Sequence, residues 1–285
     1  MVLFAHPAGH SVSPAMHNAA LAALAIDARY EALDVPPERL GEAVADLRRP
    51  EVAGANVTIP HKRAVMPWLD VLSADARAVG AVNTITVDGG RLVGDNTDGA
   101  GFLRGLAELG VAPRGASCVV LGAGGAARAV AHALLRSGAR VALHNRGRRR
   151  AEALARALAG AGTVTVLAAG ELAGAVAAAD LLVQATPVGM EGTAPGASPL
   201  APGVLPRAGA VIDLVYRPPE TPLLAAARAA GLRTQSGLPM LLHQGALAFE
   251  RWFGVAPPLD VMRRAALEAL ASSERGPAPG RTGGR

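Results

Sequence analysis

The chain has 285 residues and a formal net charge of +5, and 51% of its residues are hydrophobic while only 3% are aromatic. Gly, Arg, Asp or Pro interrupts every apolar stretch well before the ~18 residues that a membrane-spanning helix needs, which excludes a bilayer-spanning protein. The single cysteine, Cys118, excludes an internal disulfide, and no secretory signal pattern opens the chain, so the composition predicts a cytoplasmic protein.

Short apolar runs alternate with helical patterns along the chain, which predicts an α/β architecture with mainly parallel sheets. In the first part we expect strands at 2–5, 29–35 and 54–59, helices at 14–26, 37–48, 61–69 and 73–78, a hairpin of 83–87 with 91–94, and a helix at 98–109. Ser11 and Ser13 are expected to cap the helix that starts at Pro14, and Asp98 the helix that starts beside it.

The second part repeats the strand and helix alternation. Strands are predicted at 117–121, 140–145, 163–167, 181–185 and 211–214, with helices at 124–137, 149–158, 239–252 and 259–270. We therefore expect a substrate-binding domain of residues 1–98 plus 239–271, a Rossmann-type nucleotide-binding domain of residues 99–238, and a deep cleft between them. The tail 272–285 has little to bury and is expected to be disordered.

One compositional bias points to a single residue. Of the 28 Lys plus Arg residues, 27 are Arg, and Lys62 is the only lysine. A lysine can release its proton at accessible pH, whereas a guanidinium cannot. Lys62 is therefore a candidate acid/base; the alternative is a lysine that survives by chance in a loop.

A hydrophobic strand runs into a glycine-rich turn and a helix at residues 119–129, VVLGAGGAARA. Gly122, Gly124 and Ala127 form the G-x-G-x-x-A dinucleotide fingerprint, in which the first glycine permits the tight turn and the second lets the backbone approach a pyrophosphate. The charge of that group lies at the helix N-terminus.

The next predicted strand ends in His144-Asn145-Arg146-Gly147-Arg148-Arg149-Arg150. It carries no acid for a ribose 2′-hydroxyl, and guanidinium groups can bind the oxygens of a 2′-phosphate in a bidentate manner. This favours NADP over NAD and makes nucleic acid a weaker interpretation of the basic run. Arg146 and Arg150 are the best candidates for the phosphate, and Arg148 is expected to face solvent.

The remaining polar motifs lie at strand ends and helix starts. In chain order the motifs are HSVSPAMHN, NVTIPHK, GAVNT, DNTDG, GAGGAARA, NRGRRRAE, QATPVGM, DLVY and GLPMLLHQGA. This ordered set is similar to that of the shikimate dehydrogenase family over about residues 4–254. Gly147 stands where the family commonly has Thr, and Gln184 stands where it has an Asn or Ser-type residue.

The resemblance implies reversible, NADPH-dependent reduction of 3-dehydroshikimate to shikimate in the biosynthesis of chorismate and the aromatic amino acids. It implies Lys62 and Asp98 as the catalytic pair. The implied substrate residues are Ser11, Ser13 and Tyr216 at the carboxylate, and Asn56, Thr58, Lys62, Asn83, Asp98 and Gln244 around the ring hydroxyls. The implied NADP residues are Gly122, Ala123, Gly124, Gly125, Ala126, Asn145, Arg146, Arg149, Arg150, Thr186, Leu214 and Gly237.

No metal is required by this chemistry, and the expected partner is a small-molecule substrate rather than nucleic acid or membrane. The expected assembly is a monomer or homodimer. Because hydride transfer needs both domains held at one separation, we expect them to close on substrate, with Gly99 and Gly237 near the bending points.

Three other functions compete. A quinate/shikimate dehydrogenase would show broader substrate or cofactor use; the arginines argue against NAD, but Ser11 and Ser13 do not discriminate against quinate. A folate-type methylene dehydrogenase would not explain Ser11, Ser13 and Asp98 together. A non-enzymatic NADP sensor would be favoured if Lys62 or Asp98 were absent, and both are present.

Overall fold

The computed structural model describes residues 1–9 and 11–274. Its strands are β1 Val2–Ala5, β2 Glu31–Asp34, β3 Gly54–Val57, β4 Val71–Leu72, β5 Thr84–Asp88, β6 Arg91–Asp95, β7 Ser117–Leu121, β8 Arg140–His144, β9 Val164–Val166, β10 Leu181–Gln184, β11 Ala210–Asp213 and β12 Arg233–Gln235. Its α-helices are α1 Ser13–Ala23, α2 Leu40–Asp46, α3 Ala74–Val79, α4 Asp98–Glu108, α5 Gly125–Arg136, α6 Arg148–Leu158, α7 Leu172–Ala177, α8 Pro222–Ala229, α9 Leu238–Phe253 and α10 Leu259–Glu274.

The first sheet contains β1 to β6 in the order β2-β1-β3-β5-β6-β4. Strand β1 is parallel to β2 and β3, and β4 is parallel to β6, while β5 is antiparallel to both β3 and β6. The hairpin predicted around Asp88 is present. Its two turn residues, Gly89 and Gly90, have φ values of +55° and +79°, the left-handed pair that suits the twist of a tight hairpin.

The second sheet contains β7 to β12 in the order β12-β11-β10-β7-β8-β9, and all of its strands are parallel. The strand order reverses between β7 and β10, so the loops after these two strands diverge at the carboxyl edge. Open α/β sheets bind ligands at such a switch point. The α/β prediction with a Rossmann-type second sheet is confirmed.

Helices α4 and α9 join the two sheets. Gly101 and Gly105 of α4 face α9: a Cβ at Gly101 would lie 2.7 Å from the backbone nitrogen of Gln244. Glycine is thus required for the close approach of the two helices. Helices α9 and α10 return to the first sheet and pack on α1 through an apolar cluster that includes Met16, Phe249 and Met262.

Two local predictions are wrong. Residues 61–69 do not form an α-helix: after turns, only Met66–Trp68 is a short 3-10 helix, because Pro67 has no N–H to continue the ladder of hydrogen bonds. The predicted caps at Ser13 and Asp98 are also absent. Val12 and Thr97 occupy the N-cap positions of α1 and α4 without a side-chain capping bond, and Ser13 and Asp98 are the first helical residues. Ser11 Oγ does accept the N–H of Ser13, at 3.2 Å.

Other elements have shifted bounds or were not predicted. Helices α7 and α8 and strand β12 were not predicted; the two helices are short and rich in alanine, and the strand has only three residues. Helix α10 continues to Glu274, past the predicted start of a disordered tail at Ser272. The rest of that predicted tail, 275–285, lies outside the described residues.

Candidate active site

A buried ion pair lies between the loop after β3 and the start of α4. Lys62 Nζ donates to Asp98 Oδ2 at 2.5 Å, and the two side chains are only 15% and 4% exposed. The lysine backbone is fixed as well, because its carbonyl accepts the N–H of Val82 at 2.7 Å. Both predicted catalytic residues are therefore in contact, and the pair is largely shielded from water.

Asn83 connects this ion pair to the far end of the chain. Its amide nitrogen lies 2.9 Å from Asp98 Oδ1 and 3.0 Å from Gln244 Oε1, and its amide oxygen accepts the N–H of Thr97 at 2.8 Å. Lys62 and Asn83 come from the first sheet, Asp98 from α4 and Gln244 from α9. The contacts orient the carboxylate toward the lysine, since its second oxygen is held by an amide.

Tyr30 extends the network toward α1, and the sequence analysis did not single it out. Its hydroxyl donates to Asn56 Oδ1 at 2.8 Å, and the side chain of Ser13 lies beside it. The amide nitrogen of Asn56 in turn donates to the carbonyl of Asn83 at 3.1 Å. Complete burial raises the pKa of Tyr30, so its hydroxyl stays protonated. The available signal was that a tyrosine in a chain so poor in aromatic residues needs a partner for its hydroxyl when buried.

Two further predicted residues, Ser11 and Tyr216, lie side by side. The Tyr216 hydroxyl lies against the side chain of Ser11 and the backbone of Val12. Burial raises the pKa of this phenol. The loop that carries Tyr216 is fixed by Asp213, which accepts the N–H of Val215 at 3.0 Å and the hydroxyl of Thr221 at 2.7 Å. Burial raises the pKa of the Asp213 carboxyl to about 6.

Thr58 is half-buried directly after β3. Its N–H donates to the carbonyl of Phe4 at 2.9 Å, and its carbonyl accepts the N–H of His61 at 2.8 Å. We call the residues Ser11, Ser13, Asn56, Thr58, Lys62, Asn83, Asp98, Tyr216 and Gln244 the substrate side. Their polar groups are mostly bonded to one another.

A second group of predicted residues lies at the switch point of the second sheet. Gly122 has φ +121°, and a Cβ there would lie 2.8 Å from the carbonyl oxygen of Ala185, so the turn between β7 and α5 requires glycine. Gly124 is the N-cap of α5 and bears no capping side chain, and the space around its Cβ position is open. Ala123 and Ala126 flank this turn, which leaves the N–H groups at the start of α5 available to an anion.

The arginine run follows β8, whose last residue is His144. Arg148 pairs with Glu152 at 2.8 Å and starts α6, whereas Arg146, Arg149 and Arg150 are exposed and have no acidic partner among the residues that the structure describes. The Asn145 amide donates to the carbonyl of Gly147 at 3.0 Å and holds the turn. These three guanidinium groups are therefore accessible to an anion from solvent.

The other predicted cofactor residues lie in the loops that adjoin this turn. Thr186 contacts Gly122, and the buried Gln184 amide donates to the carbonyls of Thr186 and Val188, both at 3.0 Å. This bonding explains why a longer amide serves at position 184. Gly237 lies so close to the carbonyl of Leu214 that no Cβ fits. We call Gly122–Ala126, Asn145, Arg146, Arg149, Arg150, Thr186, Leu214 and Gly237 the nucleotide side.

Among residues 1–9 and 11–274, no cluster of three or more His, Cys, Asp or Glu side chains could hold a metal ion. None of the helices in that part of the chain is long and apolar enough to cross a membrane.

Three family profiles match the chain. The shikimate dehydrogenase substrate binding domain matches residues 3–85, the shikimate / quinate 5-dehydrogenase family matches residues 107–189, and the shikimate 5'-dehydrogenase C-terminal domain matches residues 237–267. The shikimate dehydrogenase (NADP(+)) of Symbiobacterium thermophilum is 53% identical over 94% of this chain and 93% of its own.

Solved structures of similar fold belong to the same family as these profiles. Shikimate 5-dehydrogenase of Thermus thermophilus, in complex with NADP(H) and shikimate, superposes with a TM-score of 0.87 at 45% identity, covering 94% of this chain and 98% of its own. Quinate dehydrogenase of Corynebacterium glutamicum, in complex with NAD, gives a TM-score of 0.85 at 34% identity, with the same two coverages. Motifs, geometry and relatives agree along the whole described fold, and the chain belongs to the shikimate dehydrogenase family.

Proposed function

We propose that this protein catalyses the reversible, NADPH-dependent reduction of 3-dehydroshikimate to shikimate, a step in the biosynthesis of chorismate and the aromatic amino acids. The observation that carries the proposal is the buried Lys62–Asp98 pair, which is held by Asn83 and located beside the first turn of α5; Asn83 is in turn bonded to Gln244. The relatives that act as shikimate dehydrogenases support it.

Ketone reduction needs a group that stabilises negative charge on oxygen and then supplies a proton. The Lys62 ammonium can do both, and in the reverse direction the neutral amine can accept the proton from the substrate hydroxyl. Asp98 holds the ammonium in place through one carboxylate oxygen. NADPH, when bound, supplies the hydride.

For the substrate, we propose that Ser11, Ser13 and Tyr216 bind the carboxylate and that Asn56, Thr58, Asn83, Asp98 and Gln244 surround the ring hydroxyls. The proximity of the Tyr216 hydroxyl to Ser11 supports the first set, and the shared hydrogen bonds of Asn83 support the second. Because these groups already contact one another, a ligand hydroxyl would replace bonds within a preformed network.

The nucleotide side fits NADP. The uncapped start of α5 suits a pyrophosphate, and Arg146, Arg149 and Arg150, which follow a strand that ends without an acid, have no acidic partner within residues 1–9 and 11–274. We propose that Arg146 and Arg150 bind the 2′-phosphate and that Thr186, Leu214 and Gly237 line the nicotinamide end. The close contact of Gly237 with Leu214 supports placing them in one wall.

We also propose the domain division of residues 1–98 plus 239–271 and residues 99–238, supported by the apolar cluster that α1 shares with α9 and α10. A cytoplasmic enzyme that is a monomer or homodimer is proposed as well. The buried, unpaired Cys118 supports a reducing compartment, and burial raises the pKa of its thiol to about 12.

The test is an absorbance assay of NADPH formation and consumption with the purified protein. Shikimate and quinate are each offered with NADP and with NAD. We expect shikimate with NADP to give the highest kcat/KM. Comparable turnover of quinate, or a preference for NAD, would instead support a quinate/shikimate dehydrogenase, and no turnover with any pair would contradict the proposal.

A further inference from the structure

The stem of Lys62 crosses from the first sheet to helix α5 and lies against Gly125, the first residue of that helix. A Cβ placed on Gly125 would lie 3.1 Å from Cδ, 3.2 Å from Cβ and 3.6 Å from Cγ of Lys62. These are the three nearest atoms, so the lysine is the neighbour that limits the space at this position. The contact joins a residue of the substrate side to a residue of the nucleotide side.

Lys62 has little freedom to yield to a larger neighbour. Its backbone carbonyl is bonded to the N–H of Val82 at 2.7 Å, and its ammonium is bonded to Asp98 at 2.5 Å. Asp98 is itself held by Asn83 and by the bond from its own N–H to Asn96 Oδ1 at 3.1 Å. Because both ends of the side chain are fixed, a displaced stem must move the ammonium or bend the side chain away from a staggered rotamer.

We propose that Gly125 is a positioning residue for Lys62: the bare backbone at the start of α5 is the wall that holds the lysine stem in line with Asp98. This role rests on the proposed function of Lys62 and is separate from the contact of the same turn with a nucleotide. Misplacing a catalytic group by a few tenths of an ångström to 1 Å lowers turnover, by as much as roughly a hundredfold for 1 Å.

The neighbouring glycine provides an internal comparison. No atom lies within 4 Å of a Cβ at Gly124, which faces the open space at the switch point. Gly124→Ala is therefore expected to raise the KM for NADP without moving Lys62. Gly174, in α7, is exposed and also has open space around its Cβ position, so Gly174→Ala controls for the effect of alanine on a helix.

The sequence allows the lysine to be observed directly. Because Lys62 is the only lysine, protein produced with ¹³C-labelled lysine gives one Lys Cε resonance that needs no assignment. We expect Gly125→Ala to shift that resonance and to lower kcat about tenfold, with a smaller change in the KM for NADP. Gly124→Ala and Gly174→Ala should leave the resonance in place. Alanine is a better helix former than glycine at positions 125 and 174, and the φ of −78° at Gly124 with open space around its Cβ position also accepts alanine, so all three variants should fold.

A resonance that stays unchanged in Gly125→Ala would overturn the proposal, and a rise in the KM for NADP alone would show that Gly125 acts only through the cofactor. An NOE between the labelled lysine side chain and the Gly125 α-protons in the unaltered protein tests the contact without any substitution, and its absence would also contradict the proposal. The NMR readouts do not depend on turnover. A protein that shows the NOE and the shift but no dehydrogenase activity would refute the proposed function and leave the contact standing.

Discussion

The substrate side and the nucleotide side differ in how their polar groups are satisfied. On the substrate side, Asn83 by itself bonds to Asp98, Gln244 and Thr97, and all four of these residues are buried. On the nucleotide side, Arg146 and Arg150 are exposed without acidic partners among the described residues, and the start of α5 has no capping side chain.

The difference indicates two ways of recognising a ligand. A buried network fixes its donors and acceptors before the ligand arrives, so its members depend on one another for position and for stability. Exposed cations on a turn attract an anion through charge and can be removed singly without disturbing the fold. Substitutions on the two sides should therefore produce different kinds of defect.

The largest effect is expected from the lysine of the substrate side. Lys62→Ala should lower kcat by roughly 10²–10⁴, the usual range for a positioned acid/base, with a smaller effect on substrate KM. Lys62→Arg, which keeps the positive charge but cannot release a proton, should be almost as slow. Steady-state kinetics in both directions measures this. Activity of Lys62→Ala within a few-fold of the unaltered enzyme would remove Lys62 from the mechanism.

On the nucleotide side, Arg146→Ala combined with Arg150→Ala should raise the KM for NADP about a hundredfold relative to that for NAD. Each lost charge-assisted bond to a phosphate costs on the order of 1–3 kcal/mol, and exposed groups lie at the low end of that range. The matched control is Arg148→Ala, because Arg148 pairs with Glu152. An equal loss of affinity for both cofactors would mean that the 2′-phosphate binds elsewhere. The melting temperature should not change in either variant.

The free energy of unfolding should depend strongly on the substrate side and only weakly on the nucleotide side. Asn83→Ala leaves buried groups of Asp98, Gln244 and Thr97 without a partner and should lower the free energy of unfolding by about 2–3 kcal/mol. Asn145→Ala, which loses one bond at the exposed turn, should change it by less than about 0.5 kcal/mol. Urea unfolding of the two variants gives the comparison. Equal losses would show that the two sides are not built differently.

The smallest effect concerns the loop of Tyr216 and depends on pH. Burial raises the pKa of Asp213 from 3.8 to about 6, so the folded protein binds a proton there that the unfolded chain has already released. This group therefore makes the fold less stable as pH rises from about 4 to about 6, by on the order of 1–2 kcal/mol. Asp213→Asn should remove that contribution. The free energy of unfolding is measured at pH 4, 5, 6 and 7 for Asp213→Asn and for the unaltered protein. The prediction fails if it changes with pH equally in both.

Local patterns in the sequence were sufficient for some elements and not for others. The hairpin at Asp88 and the strand-turn-helix at Gly122 depend on backbone conformations that only glycine adopts easily, and both were predicted. The prediction of a helix at 61–69 is wrong because Pro67 lacks the N–H that an α-helix needs at that position, and only a short 3-10 helix forms. Of the residues that the motifs identify, Asn83 and Gln244 do meet Lys62 and Asp98 in one hydrogen-bonded group, and their roles remain predictions.

Contacts between distant parts of the chain could not be predicted from such local patterns. Asp98 and Ser13 have the residue types of helix caps, but their side chains make tertiary contacts instead: Asp98 bonds to Lys62, and Ser13 lies beside Tyr30. Tyr30 lies in no glycine-rich or charged motif, so only its burial beside Asn56 identifies it. Gly125 matched a nucleotide fingerprint, and its contact with Lys62 depends on how the two sheets lie against each other.

The return of α9 and α10 to the first sheet has a consequence for synthesis on the ribosome. The apolar face of α1, including Met16 and Leu21, is covered by residues such as Phe249 and Met262 that are translated more than 200 residues later. The second sheet, in contrast, is continuous from Ser117 to Gln235. A chain emerging from the exit tunnel can therefore complete the second sheet while α1 still exposes the apolar surface that α9 and α10 later cover. We expect the first sheet and α1, although translated before the second sheet, to become native after it, and to be the part that chaperones protect.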